Sequence, residues 1–449
     1  MSNENLFPTP GGAHFLMGHL PEFRKNHITF YEKAWRDFGD FVVLKAPLGV
    51  KWYLSVHPEA AHQLLVSDQE SYSKPPYFKS ALRLVIGDAL LASEGATWKF
   101  HRRTLNPLFT RHGVLEFSNT IQQHLGHWVG ALKKKGAQLT DAEELFVPVT
   151  MNIAGTAFLS QSLGDDASRM GHAFRSCITY VNYRMTRPVH LPTWWPRQRE
   201  REFRQNSKIL FDFVNEVIKR RRAGAESAKD LLSLMMEAMD KDTGRKFSDL
   251  EVRDEILGML QAGHDTLASS LTFAAYLLAK NPKIQDDCYD ELKTLRGEIA
   301  HPKNLEELPL LNAIFKETIR LYPPAWAVTR ITNRECTLLG RRLKKGSVVN
   351  QVQFLTHRHP DFWEAPEEFR PTRFMSEARL SHKYAYYPFS AGPRSCIGAH
   401  FATLEACMIL TTLLQNFRIT LGDEKPLRLD PTFALKPLDP IHFSLVPRS

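Results

Sequence analysis

Apolar residues recur at helical spacing over most of the chain between about residues 58 and 325, and alternate in strand fashion only in short stretches on either side. Residues 27–38 read as a helix. Phe41-Val42-Val43-Leu44 and Trp52-Tyr53-Leu54-Ser55-Val56 read as two strands, and Ala46-Pro47-Leu48-Gly49 between them predicts a hairpin turn. From Arg330 to Gln353 the pattern shifts to short strands, with Leu339-Gly340 and Lys345-Gly346 as turn signals. A proline-rich stretch, one more long helix and a strand-like tail follow. The pattern predicts a mainly α fold with a small β region (α+β), the β-rich part lying at about 39–57 and 328–353 plus the C-terminal strands.

Two segments break these patterns with chemistry-bearing residues. Ser248-Asp249-Leu250-Glu251 is a capping box, and the apolar pattern behind it runs to Lys280 before stopping at Asn281-Pro282. At helical rise such an element is roughly 45–50 Å long and must be buried on most faces. Gly263-His264-Asp265-Thr266 nevertheless interrupts it. A Thr hydroxyl there can bond a carbonyl one turn back, and Gly263 is expected to let the helix bend. A solvent-facing polar patch explains these residues equally well on their own.

The second segment is Pro388-Phe389-Ser390-Ala391-Gly392-Pro393-Arg394-Ser395-Cys396-Ile397-Gly398. Ile397, Phe401, Leu404, Met408, Ile409 and Leu413 recur at roughly helical spacing, so Cys396 stands near a helix N-terminus, where free N–H groups favour a thiolate. Gly392 and Gly398 admit conformations or close approaches that a side chain blocks. Two other readings compete: an ordinary buried cysteine, and half of a zinc site with His400, for which no second Cys/His pair with zinc spacing is evident.

The length of 449 residues admits up to three domains, but no linker, charge block, low-complexity tract or repeat divides it, and a single domain over 1–449 is expected. Five scattered cysteines argue against a disulfide framework and for a reducing compartment. The opening segment reads as neither signal peptide nor membrane span, and the expectation is a cytoplasmic, monomeric protein. The net charge of +9 comes without a basic stripe interleaved with aromatics, which counts against a nucleic-acid partner.

The pattern F-x-x-G-x-R-x-C-x-G, carried by Phe389, Gly392, Arg394, Cys396 and Gly398, resembles the haem-binding loop of cytochrome P450 enzymes. Further motifs occur in that family's order. The resemblance implies the P450 fold: a triangular, helix-rich body with haem b between the long helix and the cysteine-loop helix, and Cys396 as its axial thiolate and metal ligand. Ala262, Gly263, Asp265 and Thr266 match A-G-x-D-T, which implies that Thr266 and Asp265 relay protons to bound oxygen, with His264 mainly structural. Glu317 and Arg320 match E-x-x-R, and with Arg373 they are similar to the family's structural triad; Glu367 and Arg370 share the spacing in a segment without helical pattern. Trp98 and Arg102 resemble W-x-x-x-R, which implies a hold on a haem propionate, and Arg394 and Arg330 match further propionate-binding arginines. Phe389, Gly398 and Ala262 complete the implied cofactor contacts.

By position the resemblance also implies substrate contacts at Tyr77, Phe78, Leu82, Val85, Met259, Ala325, Trp326, Val328 and Leu438, within stretches that include Ala327 and Leu435, and a mobile lid over Tyr180–Trp195. Their apolar bias predicts a lipophilic substrate, fatty-acid or terpenoid-like. The expected activity is that of a haem-thiolate monooxygenase using O2 and electrons from a separate ferredoxin or flavodoxin with its NAD(P)H-dependent reductase, steered by cations such as Arg102, Arg103 or Arg111. A peroxide-driven peroxygenase or haem-thiolate isomerase, and a haem-based sensor, are the alternatives; Asp265-Thr266 counts against both.

Overall fold

The computed structural model describes residues 8–448 apart from 48–49, 137, 165, 188–189, 225–229, 241, 300 and 376–379. Its principal elements, in chain order, are α1 (His27–Phe38), β1 (Phe41–Lys45), β2 (Lys51–Ser55), β3 (Tyr72–Ser73), α2 (Pro76–Ile86), α3 (Gly95–Leu105), β4 (Leu139–Asp141), α4 (Ala142–Leu159), α5 (Asp166–Met185), α6 (Gln198–Arg222), α7 (Asp249–Lys280), α8 (Pro309–Leu321), β5 (Val328–Thr332), β6 (Cys336–Leu338), β7 (Arg341–Leu343), β8 (Val348–Gln351), α9 (Ala399–Asn416), β9 (Phe417–Leu421), β10 (Leu429–Asp430), β11 (Lys436–Pro437) and β12 (His442–Pro447). Helix dominates, and strands occupy the expected regions at 41–55, 328–351 and the C-terminal part, but β3 and β4 are short strands inside the stretch read as helical, two and three residues being too few to show an alternation. Leu48 and Gly49 of the expected β1–β2 turn lie outside the described residues.

The chain forms two compact units, one from residues up to 76, 319–370 and the segment ending at 396, the other from 77–318, 371–375 and 397 onward. The first is built on a sheet in the order β1-β2-β8-β5-β3. β2 and β8 pair in parallel, with Ser55 opposite Gln351, and the other pairs are antiparallel. Phe23, Tyr31 and Trp52 pack as an aromatic cluster, the Phe23 and Trp52 rings meeting edge-on at 5.0 Å. β6 and β7 are joined by Leu339 (φ 50°) and Gly340 (φ 73°), a two-residue turn that needs left-handed backbone at both positions.

One buried cation organises the same unit. Arg320 donates from Nη1 to the carbonyls of His357 (2.8 Å) and Pro366 (2.7 Å), from Nη2 to that of Glu368 (3.2 Å), and lies over the Trp363 ring. His357 in turn accepts the Tyr387 N–H at Nε2 (3.0 Å). Burial, reinforced by Arg320 and Arg358, pushes its imidazole down to about 3.

In the second unit α7 starts on the expected capping box, with Ser248 accepting from the Glu251 N–H and the Glu251 carboxylate accepting from the Ser248 N–H. It packs most extensively against α4, a helix apolar on nearly every face. Hydroxyls in its middle are satisfied within the helix: Thr266 bonds the Ala262 carbonyl (2.8 Å), Ser270 that of Thr266 (3.0 Å) and Thr272 that of Ala268 (2.9 Å). The helix runs unbroken through Gly263. A Cβ on this glycine would stand 3.4 Å from the Phe158 ring on α4, so the two helices approach closely here. β4, β12 and β9 form a second sheet, in which Leu445, Val446 and Pro447 pair with Ile419, Arg418 and Phe417, so the chain's last residues belong to the fold. Among the described residues no helix is long and apolar enough to cross a membrane.

Two predictions follow from the Arg320 hub. Arg320→Met strands buried carbonyls and should cost about 3 kcal/mol or more, read as a fall in the urea midpoint. The His357 imidazole stays neutral to about 3 in the folded chain but is protonated near 6.5 when unfolded. The unfolded state therefore binds the extra proton between those values. This contribution is intact above pH 6.5 and is lost as pH falls, at up to about 1.4 kcal/mol per unit. His357→Gln, which keeps an acceptor for Tyr387, should flatten the acid loss of stability in urea titrations below about pH 6.

Candidate active site

In the first unit the loop around Cys396 is shaped by backbone. Gly392 has φ 68°, and a Cβ on it would lie 2.0 Å from the Leu65 carbonyl oxygen, so a side chain is excluded twice over. Residues 392–394 make a tight turn closed by Ser395 N–H to the Gly392 carbonyl (3.0 Å), and Cys396 N–H donates back to Phe389 (2.8 Å). The sulfur-bearing residue is thus fixed by its own main chain and lies exposed, whereas Cys177, Cys288 and Cys407 are buried. Burial pushes the Cys177 and Cys407 thiols up to about 12 and holds them protonated. Gly398 is the N-cap of α9, so Cys396 sits two residues before that cap, near the helix N-terminus as the apolar spacing implies.

Phe389 and Arg394 are half-buried in this loop and Arg330 is half-buried on β5. One exposed cysteine sulfur with guanidinium groups in the same unit suits a soft metal carried by an anionic ligand. Among the described residues no group of three or more His, Cys, Asp or Glu is placed to hold a bare metal ion.

In the second unit Ala262 is exposed and Thr266 half-buried, one turn apart on the otherwise covered middle of α7. Asp265 is buried. Its Oδ2 accepts from Gln261 Nε2 (3.2 Å) and its Oδ1 is ion-paired with Lys436 of β11. His264 is buried against Phe174, with Nδ1 on the Leu260 carbonyl (2.7 Å), and burial lowers its pKa. Its expected structural place is consistent with that setting.

Trp98 and Arg102 are half-buried one turn apart on α3. The same helix buries Phe100 and His101, and His101 Nδ1 meets Glu255 of α7 at 2.7 Å. Glu255 also accepts the Leu90 N–H (2.7 Å). Neither the His101–Glu255 pair nor Lys436 carried a sequence signal, because each partner lies more than a hundred positions away.

The triad residues are all deeply placed. Glu317 and Arg320 are fully buried on α8, and Arg373 Nε donates to Glu317 Oε1 at 3.0 Å. Arg370 pairs instead with Glu364 and Glu368 on the surface. Two cations expected to steer a partner are taken locally: Arg103 pairs with Asp240 and Asp242, and Arg111 with Glu306.

The expected substrate contacts separate into three groups. Tyr77, Ala325 and Leu438 are exposed, and Phe78 and Val328 half-buried. Met259 is buried on α7. Leu82, Val85 and Trp326 are core: Leu82 and Val85 line the inner face of α2, and Trp326 packs against Tyr31 and His27. Their apolar character serves packing, which position alone could not distinguish from ligand contact. The expected lid is stitched to its neighbours, Arg184 donating to the Leu191 carbonyl (3.0 Å) and Arg204 to those of Thr193 and Trp195. Residues 188–189 within it lie outside the described residues.

The chain is 27% identical over 423 residues to pentalenene oxygenase of Streptomyces avermitilis, covering 94% of this chain and 93% of that protein. It is 27% identical to cyclooctat-9-en-7-ol 5-monooxygenase of Streptomyces melanosporofaciens, over 92% of this chain and 89% of that one. Rat cytochrome P450 4V2 is also 27% identical, over 92% and 84%. The crystal structure of the heme domain of cytochrome P450DA superposes with a TM-score of 0.89 at 24% identity, covering 99% of this chain and 98% of that one, and shows the same fold. A family model described as cytochrome P450 matches residues 8–443. The chain belongs to the cytochrome P450 family, monooxygenases that carry haem on a cysteine thiolate.

Proposed function

We propose that the protein inserts one atom of dioxygen into a lipophilic, terpenoid-like or fatty-acid-like substrate, by hydroxylation or epoxidation, with electrons from a separate ferredoxin or flavodoxin system. The observation that carries this reading is the acid–alcohol pair at the open middle of α7: Thr266 with its hydroxyl on the Ala262 carbonyl and Asp265 beside it. A peroxide-driven enzyme or a sensor has no need of such a pair. The terpenoid leaning is supported by the names of two relatives, pentalenene oxygenase and cyclooctat-9-en-7-ol 5-monooxygenase.

When bound, the haem supplies reductive activation of dioxygen. Cys396 would supply its sulfur donor from an exposed position just before α9, where the N–H groups of a helix start favour a thiolate. Arg394, Arg330, Trp98 and Arg102 present the N–H donors that carboxylate side groups of the cofactor require. Thr266 would pass two protons in turn at its Oγ1, Asp265 resupplying each, so that with two electrons from the redox partner the second oxygen atom leaves as water. Glu317, Arg320 and Arg373 act on structure alone.

Cys396→Ser should abolish the red-shifted Soret band that reduced, carbon-monoxide-treated holoprotein shows with thiolate ligation; its persistence would put the ligand elsewhere. Thr266→Ala should raise hydrogen peroxide release per NADPH and lower product per electron by on the order of tenfold or more, with haem content unchanged. Turnover that peroxide alone sustains as well as NADPH with redox partners would favour the peroxygenase instead.

A further inference from the structure

We propose that Lys436, on the C-terminal hairpin, is a positioning residue for the Asp265 carboxylate and forms its link to the protein surface. This rests on the reading of Asp265 and Thr266 as a proton relay. Three observations on this chain carry it. Both carboxylate oxygens of Asp265 are engaged, Oδ1 by the Lys436 ammonium and Oδ2 by the Gln261 amide, so the group is fixed in orientation and not merely neutralised. The Asp265 side chain is 11% exposed while that of Lys436 is 31% exposed, so the lysine reaches water where the acid is nearly covered. The hairpin is also tied to α7 one turn further along, where Ser269 donates to the carbonyl of Leu435. Lys436 thus follows a residue whose backbone is held by the helix that carries the relay.

The electrostatics around the pair agree with this role. Arg175 of α5 lies in the field of Asp265 and is itself paired with Glu143 of α4 and influenced by Asp141. His264, next along α7, is buried with its pKa lowered and brings no competing charge at neutral pH. Lys436 is the cation in direct contact with Asp265. Removing it leaves a nearly covered carboxylate with Oδ1 stripped of its ion-pair partner and free to reorient.

The experiment uses the haem-loaded protein with a plant-type ferredoxin and its reductase, measuring NADPH oxidation and peroxide release in air, without added substrate, from about pH 6 to 9. Lys436→Met should slow NADPH oxidation on the order of tenfold, below the full contribution of a general acid–base group, and change the shape of the rate–pH profile. Lys436→Arg should restore both. Ser269→Ala, which loosens the hairpin without touching the charge, should lower the melting temperature and leave the profile in place. In thermal unfolding of the same holoproteins, Lys436→Met and Asp265→Asn should be non-additive, the double variant losing less than the two singles together. If Lys436→Met leaves rate and profile at wild type while Asp265→Asn slows turnover, the positioning role is overturned and the relay stands. If Asp265→Asn itself changes nothing, the relay reading falls and this proposal with it. A Ser269→Ala profile identical to that of Lys436→Met, or additive unfolding, assigns the effect to hairpin seating and overturns the role of the charge.

Discussion

A polar group carried into a protein interior has to find a partner there, and this chain's architecture is organised by how its buried charges and hydroxyls do so. The 32-residue helix α7 crosses the second unit largely buried, yet holds Glu255, Asp265, Thr266, Ser269, Ser270 and Thr272. Its hydroxyls turn back on their own carbonyls or reach the hairpin, and its carboxylates are met from α3 and β11. In the first unit Arg320 does the reverse, a single cation gathering carbonyls from a segment with little regular structure. Apolar packing sets where these elements lie, and the polar pairs set which side chain faces which.

That division explains what could be read in advance. The capping box, the stop at Asn281, the Leu339-Gly340 turn and the helix behind Cys396 are local: residues within a few positions determine them. The cysteine loop is local too, since Gly392 and the hydrogen bond from Cys396 to Phe389 lie inside one short string. Gly263 is less legible, because a glycine permits both a bend and a close neighbour, and its neighbour Phe158 lies about a hundred positions away. Trp326, Leu82 and Val85 looked like ligand contacts for the same reason that they look like core: burial and substrate binding ask for the same side chains.

The candidate chemistry divides along the same line. Motif spacing singled out Cys396, Thr266 and Asp265 as candidates, because the pattern that marks each lies within a few positions of sequence. It could not reach Lys436, His101 or the consequences of Arg103 and Arg111 meeting carboxylates, because those depend on long-range closure. The single stretch that unites both levels is α7, where a locally legible pattern meets three elements that arrive from distant parts of the chain.

The parallel pairing of β2 with β8 imposes an order of events on synthesis. Ser55 finds its partner Gln351 about 300 residues later, and everything from 77 to 318 emerges between them. At ribosomal speeds the earlier strand waits roughly 15–60 s with one hydrogen-bonding edge open. During that interval β1 guards its other edge, and the intervening helices have time to condense before the sheet can close. The cysteine-bearing loop emerges later still, so the sulfur takes its place on a scaffold whose other strands have already been made.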